Sequence, residues 1–400
     1  MQHLSRRTVL QGLCGCSAMA LGGCVTSEES RQPLKTAGYR PASNTLEGGL
    51  WQKMEEFEEE LKHSPIRVRD PGLNRYVNEL ACDLAGDHCR NLRVYIVDTP
   101  HFNASMAPNG MMQIWTGLLL RCRNEAELAA VVGHEIAHYT QRHTLQRYEQ
   151  LSNSAAAAAF FSVLLAGVGG GGFAGLIQLA ALANVLAFSR DQEREADQIG
   201  MEMMSRAGYA PVAAAQIWQG IVTELDAGLS DEEKDERRNK QSVWTATHPS
   251  PDERMRELNR MAALQISGPV RFAEESFRTA TADRRDAMME AELSLHQYDR
   301  SLVIIDRLLE AAPGDASVHY YRGEVFRRRN DGNDSLRALN AYGEAVEIDP
   351  SHARSWRGIG ILHRRAGRTE DARAAFRRYL QLDPAADDRL MIQSFLGADT

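Results

Sequence analysis

Two histidines four residues apart bracket a glutamate in His134-Glu135-Ile136-Ala137-His138, and this segment constrains the fold more than any other in the chain. On an α-helix, positions i and i+4 share a face, so both rings can offer a nitrogen to one metal ion, with Glu135 beside the open coordination position. Asn124, followed three residues later by Glu127, supplies a helix start, and Leu128, Val131, Val132, Ile136 and Ala137 continue the apolar pattern through the motif. A zinc ion bound this way needs a third protein ligand and one position left for water, which it acidifies toward neutral pH. The adjacent carboxylate then takes the proton as water attacks a peptide carbonyl. The motif therefore requires a partner segment elsewhere in the chain.

That partner is expected in Ser189-Arg190-Asp191-Gln192-Glu193-Arg194-Glu195-Ala196-Asp197, where Glu193 and Asp197 again stand four apart on a predicted helix. One carboxylate would bind the metal, and the other, a turn away, would hold the free N–H of a ligand histidine. Glu193 is the expected third ligand. Glu195 is the alternative, although it projects about 200° around the helix from Glu193 and would lose the paired carboxylate. His143 is a tempting ligand of another kind, since some zinc proteases extend the motif with a glycine and a further histidine. Gln141 and Thr144 occupy those places instead, and five residues beyond His138 a straight helix points about 140° off the ligand face. His143 is thus expected at the surface.

The first residues read as an export signal, with Arg6-Arg7 before a short apolar stretch that ends in Leu21-Gly22-Gly23-Cys24. The arginine pair resembles a twin-arginine signal. The segment before Cys24 resembles a bacterial lipobox, which implies lipidation of Cys24 and a membrane-surface address, with Val25 and Thr26 leaning toward the outer membrane. Residues 24–45 form a polar tether. Of the cysteines beyond Cys24, Cys82 and Cys89 are close enough to pair across a helix end, with Cys122 left as a buried thiol. Residues 151–189 carry no charged residue across 39 positions and are broken by Gly169–Gly172. A membrane hairpin and a lid over the site compete for them, and the shortness of each half favours the lid. A net charge of -8 with scattered arginines excludes a nucleic-acid partner.

Helical spacing predicts helices over Leu46–Leu61 and Leu73–Leu84, and alternation predicts strands over Leu92–Val97 and Met111–Thr116, around a turn at Pro108-Asn109-Gly110. Farther on, Ala338, Tyr342, Ala345 and Pro350 recur 34 residues later as Ala372, Phe376, Tyr379 and Pro384, with Trp356 and Gly360 between them. Period, residue types and closing proline resemble tetratricopeptide repeats, of which about three are expected, presenting a concave face to a protein partner.

His-Glu-x-x-His at 134–138, Glu-x-x-x-Asp at 193–197, Asn103-Ala104, Pro108, Gly110 and Gly117-Leu118-Leu119 together resemble the zinc metallopeptidase family of HtpX and the CAAX prenyl proteases. With the repeats, the likeness is to its branch of periplasmic peptidases. The resemblance implies a mainly α fold with a small β-sheet. A gluzincin-type peptidase domain over 46–268 is followed by a repeat domain over 280–386. It also implies one zinc ion on His134, His138 and Glu193, with Glu135 as base and Asp197 in support, a residue sometimes described as proton donor. His248, in Thr247-His248-Pro249, would approach the zinc to keep the enzyme latent or would steady the oxyanion. The Asn103 to Thr116 region, with Asn103, Ala104 and Gly110 as substrate-binding residues, would supply an edge strand onto which an extended substrate adds. The expected function is cleavage of unfolded or misassembled membrane-associated proteins in the cell envelope. The alternative is a scaffold acting chiefly through its repeats, with the metal site latent. Glu135 argues against a purely structural site, which needs no base.

Overall fold

The computed structural model describes residues 37–151, 188–239, 250–265 and 269–397. Cys24, most of the expected tether, His248 and the uncharged segment lie outside them, Leu151, Phe188 and Ser189 excepted. Helix α1 (Leu46–His63) is capped by Thr45, whose hydroxyl accepts from the Gly48 amide, and α2 (Pro71–Ala85) by Asp70, with Pro71 in the first turn where its missing N–H costs nothing. A disulfide joins Cys82 to Cys89 past the end of α2, and Cys122 is a buried thiol.

Strands β1 (Arg93–Val97), β2 (Ala104–Met106) and β3 (Met111–Trp115) form one sheet in the order β1-β3-β2, with β1 parallel and β2 antiparallel to β3. The turn between β2 and β3 needs glycine. Gly110 has φ +88°, and a Cβ there would lie 2.1 Å from the Asn91 carbonyl oxygen. Side chains alternate as the pleat requires. Met112 and Ile114 enter the main core with Val94 and Ile96, while Met111 and Trp115 pack with Tyr95, Val97 and Leu61 beneath α1. The expected strand over 111–116 is therefore the central one, and Thr116 already opens α3 (Thr116–Arg121). β2 is an edge strand and is too short to show an alternating pattern.

The helices that follow are α4 (Glu125–Thr140), α5 (His143–Leu151), α6 (Arg190–Arg206), α7 (Val212–Asp226), α8 (Asp231–Asn239) and α9 (Pro251–Leu264). Beyond them run α10 (Glu274–Leu293), α11 (Tyr298–Ala311), α12 (Ala316–Arg329), α13 (Asp334–Ile348), α14 (Ala353–Arg365), α15 (Thr369–Leu382) and α16 (Arg389–Gly397). Helices α12 with α13 and α14 with α15 pack as antiparallel pairs. Their spacing explains the periodic residues: the Tyr342 ring lies between Gly323 and Gly358, and the Phe376 ring lies on Gly360. A Cβ at Gly358 would stand 2.6 Å from the Tyr342 ring, so the aromatic on one helix requires the missing side chain on the next.

One apolar core runs from Val68 to Leu362, so the catalytic body and the first repeat helices are packed as one unit. Arg121 bridges them by donating to Glu224 on α7 and Glu292 on α10, all three buried. Arg307 on α11 lies across Gly220 on α7 and reaches Glu127 at 3.4 Å. Among the described residues, no helix is long and apolar enough to cross a membrane.

Candidate metal centre

Helix α4 carries both motif histidines, and every position from Glu125 to Thr140 except Ala130 is buried. The Asn124 side chain accepts from the Glu127 amide at 2.9 Å, forming the expected cap. Helix α6 is also firmly begun, by a reciprocal capping box between Ser189 and Gln192. The two helices cross where Gly133 meets Gly200. A Cβ on Gly200 would lie 2.7 Å from the His134 amide nitrogen, and one on Gly133 would lie 3.0 Å from the Gly200 carbonyl oxygen.

This close crossing brings His134, His138 and Glu193 together. The two Nε2 atoms are 3.0 Å apart, and the Glu193 carboxylate oxygens lie 3.6 Å from each. Ligand atoms held about 2.0–2.2 Å from a tetrahedral zinc stand about 3.3–3.6 Å apart, which the Glu193 distances match and the Nε2 pair approaches from below, so the donor set suits that ion. It is the one such His/Cys/Asp/Glu cluster among the described residues. Glu135 lies 5% exposed beside it and lines a small cavity with His134, Asp197, Arg254, Trp218 and Met201.

Behind His134, the Asp197 carboxylate lies 2.9 Å from Nδ1, which leaves Nε2 to face the cluster. Asp197 is also paired with Arg254 on α9, whose guanidinium stacks 4.3 Å from the Trp218 ring centre. Burial alone would raise the Asp197 carboxyl, but the charges of Arg254 and His134 and their hydrogen bonds outweigh it and bring it down to about 2. Such a carboxylate holds no proton near neutrality, which suits an acceptor rather than a donor. Burial, assisted by Arg254, lowers the His134 ring against the opposing pull of Asp197, keeping it neutral as a ligand must be.

Arg254 had no sequence signal. It lies 57 residues from Asp197, in a first helical turn set by the Ser250 cap and Pro251, and nothing in its own neighbourhood marks it as reaching the site.

His143 is not at the surface. Helix α4 stops at Thr140, Arg142 takes the left-handed conformation with φ +58°, and α5 starts afresh at His143, so the straight-helix projection does not apply. The ring is 1% exposed, with Nδ1 2.9 Å from His138 Nδ1 and Nε2 3.2 Å from a Glu195 carboxylate oxygen. Glu195 thus faces His143 while Glu193 faces both motif rings. Burial lowers the His143 ring, with Glu195 opposing.

β2, an edge strand of the sheet, lies beside α4. Asn103 precedes it, its carbonyl accepting from the Trp115 amide at 3.1 Å, and the Ala104 side chain is buried in the core while its backbone lies on the edge strand. Gly110 does not belong to that edge. It is buried in the turn against Asn91, where it sets the chain reversal.

Residues 67–262, which carry all of these side chains, match the model of peptidase family M48, and residues 331–387 match a tetratricopeptide repeat. The beta-barrel assembly-enhancing protease of Escherichia coli (strain K12) is 24% identical over 81% of this chain and 72% of its own length. That of Yersinia pestis is 27% identical over 54% of this chain and 44% of its own length. The mitochondrial metalloendopeptidase OMA1 of Schizosaccharomyces pombe is 30% identical over 41% of this chain and 45% of its own. The protein is a metalloendopeptidase with a peptidase family M48 domain and tetratricopeptide repeats on its C-terminal side.

Proposed function

We propose that the protein is a zinc-dependent endopeptidase of the bacterial cell envelope that cuts unfolded or misassembled membrane-associated polypeptides. The observation that carries the reading is the convergence of His134, His138 and Glu193 with Glu135 alongside. His134, His138 and Glu193 would hold one zinc ion, which when bound acidifies water and polarises the peptide carbonyl. Glu135 accepts the proton of the attacking water and returns it to the leaving amine. Asp197 orients His134 through Nδ1, and Arg254 keeps that carboxylate ionised and in place. A substrate strand adds along β2 through backbone hydrogen bonds, a mode that tolerates many sequences and suits unfolded chains.

The envelope address rests on the signal at 1–23, on lipid at Cys24 and the tether over 24–45, and on the likeness to the beta-barrel assembly-enhancing protease of Escherichia coli. Val25 and Thr26 after Cys24 lean toward the outer membrane. The repeats would dock a protein of the assembly machinery, and His248 would gate the zinc.

The test is cleavage of an unfolded outer-membrane protein by the purified protein and by Glu135→Gln, with zinc measured in both. Loss of cleavage with zinc retained is the expected result. Equal cleavage by the two would overturn the mechanism.

A further inference from the structure

We infer that His143 is a positioning residue for His138, fixing which nitrogen of that ring carries the proton, and that Glu195 fixes His143 in turn. The inference rests on His138 holding the metal through Nε2.

Two ring nitrogens 2.9 Å apart hydrogen-bond only when one carries a proton and the other a lone pair. Two arrangements satisfy this. In the first, His138 donates from Nδ1 and keeps its Nε2 lone pair toward His134 and Glu193. In the second, His143 donates, and the His138 proton sits on Nε2, where it would block the cluster. Glu195 selects the first, because its carboxylate, 3.2 Å from His143 Nε2, can only accept. The chain of donors then runs from His138 Nδ1 to His143 Nδ1, and from His143 Nε2 to Glu195. Phe188 stacks on His138 with ring centres 4.0 Å apart and planes 19° from parallel, so the ring is fixed in tilt by the stack and in rotation by His143.

The two motif histidines are therefore supported unequally. His134 Nδ1 lies beside the buried Asp197 carboxylate and 3.0 Å from Arg254 Nη2, whereas His138 donates to an imidazole whose own acceptor is 52% exposed. Water can compete for Glu195 but not for Asp197. The support that His143 gives His138 thus reaches the surface through Glu195.

The experiment uses the full chain. Zinc affinity is measured by chelator competition, and the visible spectrum of the cobalt(II)-substituted protein reports the ligand field. His143→Leu should weaken zinc by about 10- to 100-fold and shift the cobalt bands. His143→Gln, whose amide oxygen can accept from His138 Nδ1, should recover much of that loss. Glu195→Leu, at an exposed side chain that leaves folding intact, should weaken zinc severalfold with an unchanged unfolding midpoint. If His143→Leu does not fold, Glu195→Leu decides. Wild-type affinity and spectrum in either leucine variant, or no advantage of glutamine over leucine at 143, overturns the inference. If His134→Ala binds zinc as tightly as wild type, the zinc site itself is misassigned and this inference falls with it.

Discussion

Arg121 meets Glu224 and Glu292 across 103 and 171 residues of chain, whereas Glu324 in the repeats meets Arg327 and Arg328 within about one helical turn. Both arrangements bury carboxylates, with opposite results. Burial and the nearby Glu224 raise the Glu292 carboxyl in spite of Arg121. Burial also pushes Glu324 upward, but hydrogen bonds from Arg327 and Tyr342 and the charge of Arg327 and Arg328 overcome it and bring it down to about 2. Arg121 is one cation shared between two carboxylates, and it ties elements distant in sequence. Glu324 has two cations close in sequence, of which Arg328 also reaches Glu290 on α10. The first link spans the chain, and the second is centred on one helix.

The largest expected effect separates holding from acting within the body. Glu135→Gln should lower peptide hydrolysis by about 10²- to 10⁴-fold while leaving the unfolding midpoint unchanged, since the amide keeps the size of the side chain and removes only the base. A matching loss of stability would put it among the structural links.

Arg121→Met should destabilise the protein by about 3–5 kcal/mol, because it leaves two buried carboxylates without a counter-charge. Adding Glu224→Gln and Glu292→Gln should restore much of this in urea unfolding. Full additivity of the three changes would contradict a shared link.

The pH dependence of unfolding distinguishes the regions by sign. Glu324, depressed from an ordinary value near 4.5 to about 2, stabilises the fold above 4.5 and loses that contribution as pH falls toward 2. The loss is on the order of 3 kcal/mol and should vanish in Glu324→Gln. Glu292, raised, runs the other way: protonation favours the folded state, so its contribution is greatest at low pH and lost as pH rises through its folded value. Urea midpoints between neutral and acid pH for Glu324→Gln and Glu292→Gln check both signs.

The smallest effect is steric. Gly358→Ala forces a methyl against the Tyr342 ring and should cost about 1–3 kcal/mol, read as earlier thermal unfolding of the repeats, with hydrolysis of a short peptide unchanged. A fall in that hydrolysis would mean the array is not locally built.

Sequence legibility follows the same division. The repeats were readable because glycine and aromatic positions recur at a fixed period, and each contact is made with the adjacent helix. The ligand set was readable because helical geometry places residues four apart on one face, on α4 and on α6 alike. His143 escaped because a single left-handed residue, Arg142, undoes any projection along a straight helix. Arg254 escaped because its partner lies 57 residues away and no period links them. The edge strand β2 spans only Ala104–Met106, without β-branched residues, so its place depends on pairing with β3 rather than on its own preference.

The crossing at Gly133 and Gly200 acts as a caliper. The gap between the two histidines on one helix and the glutamate on the other is set by backbone touching backbone, with no side chain available to adjust it. Methyl groups at both glycines would widen the jaws and favour larger cations with longer ligand bonds over zinc, within an otherwise intact fold. The choice of ion would then be written in two residues that never touch it.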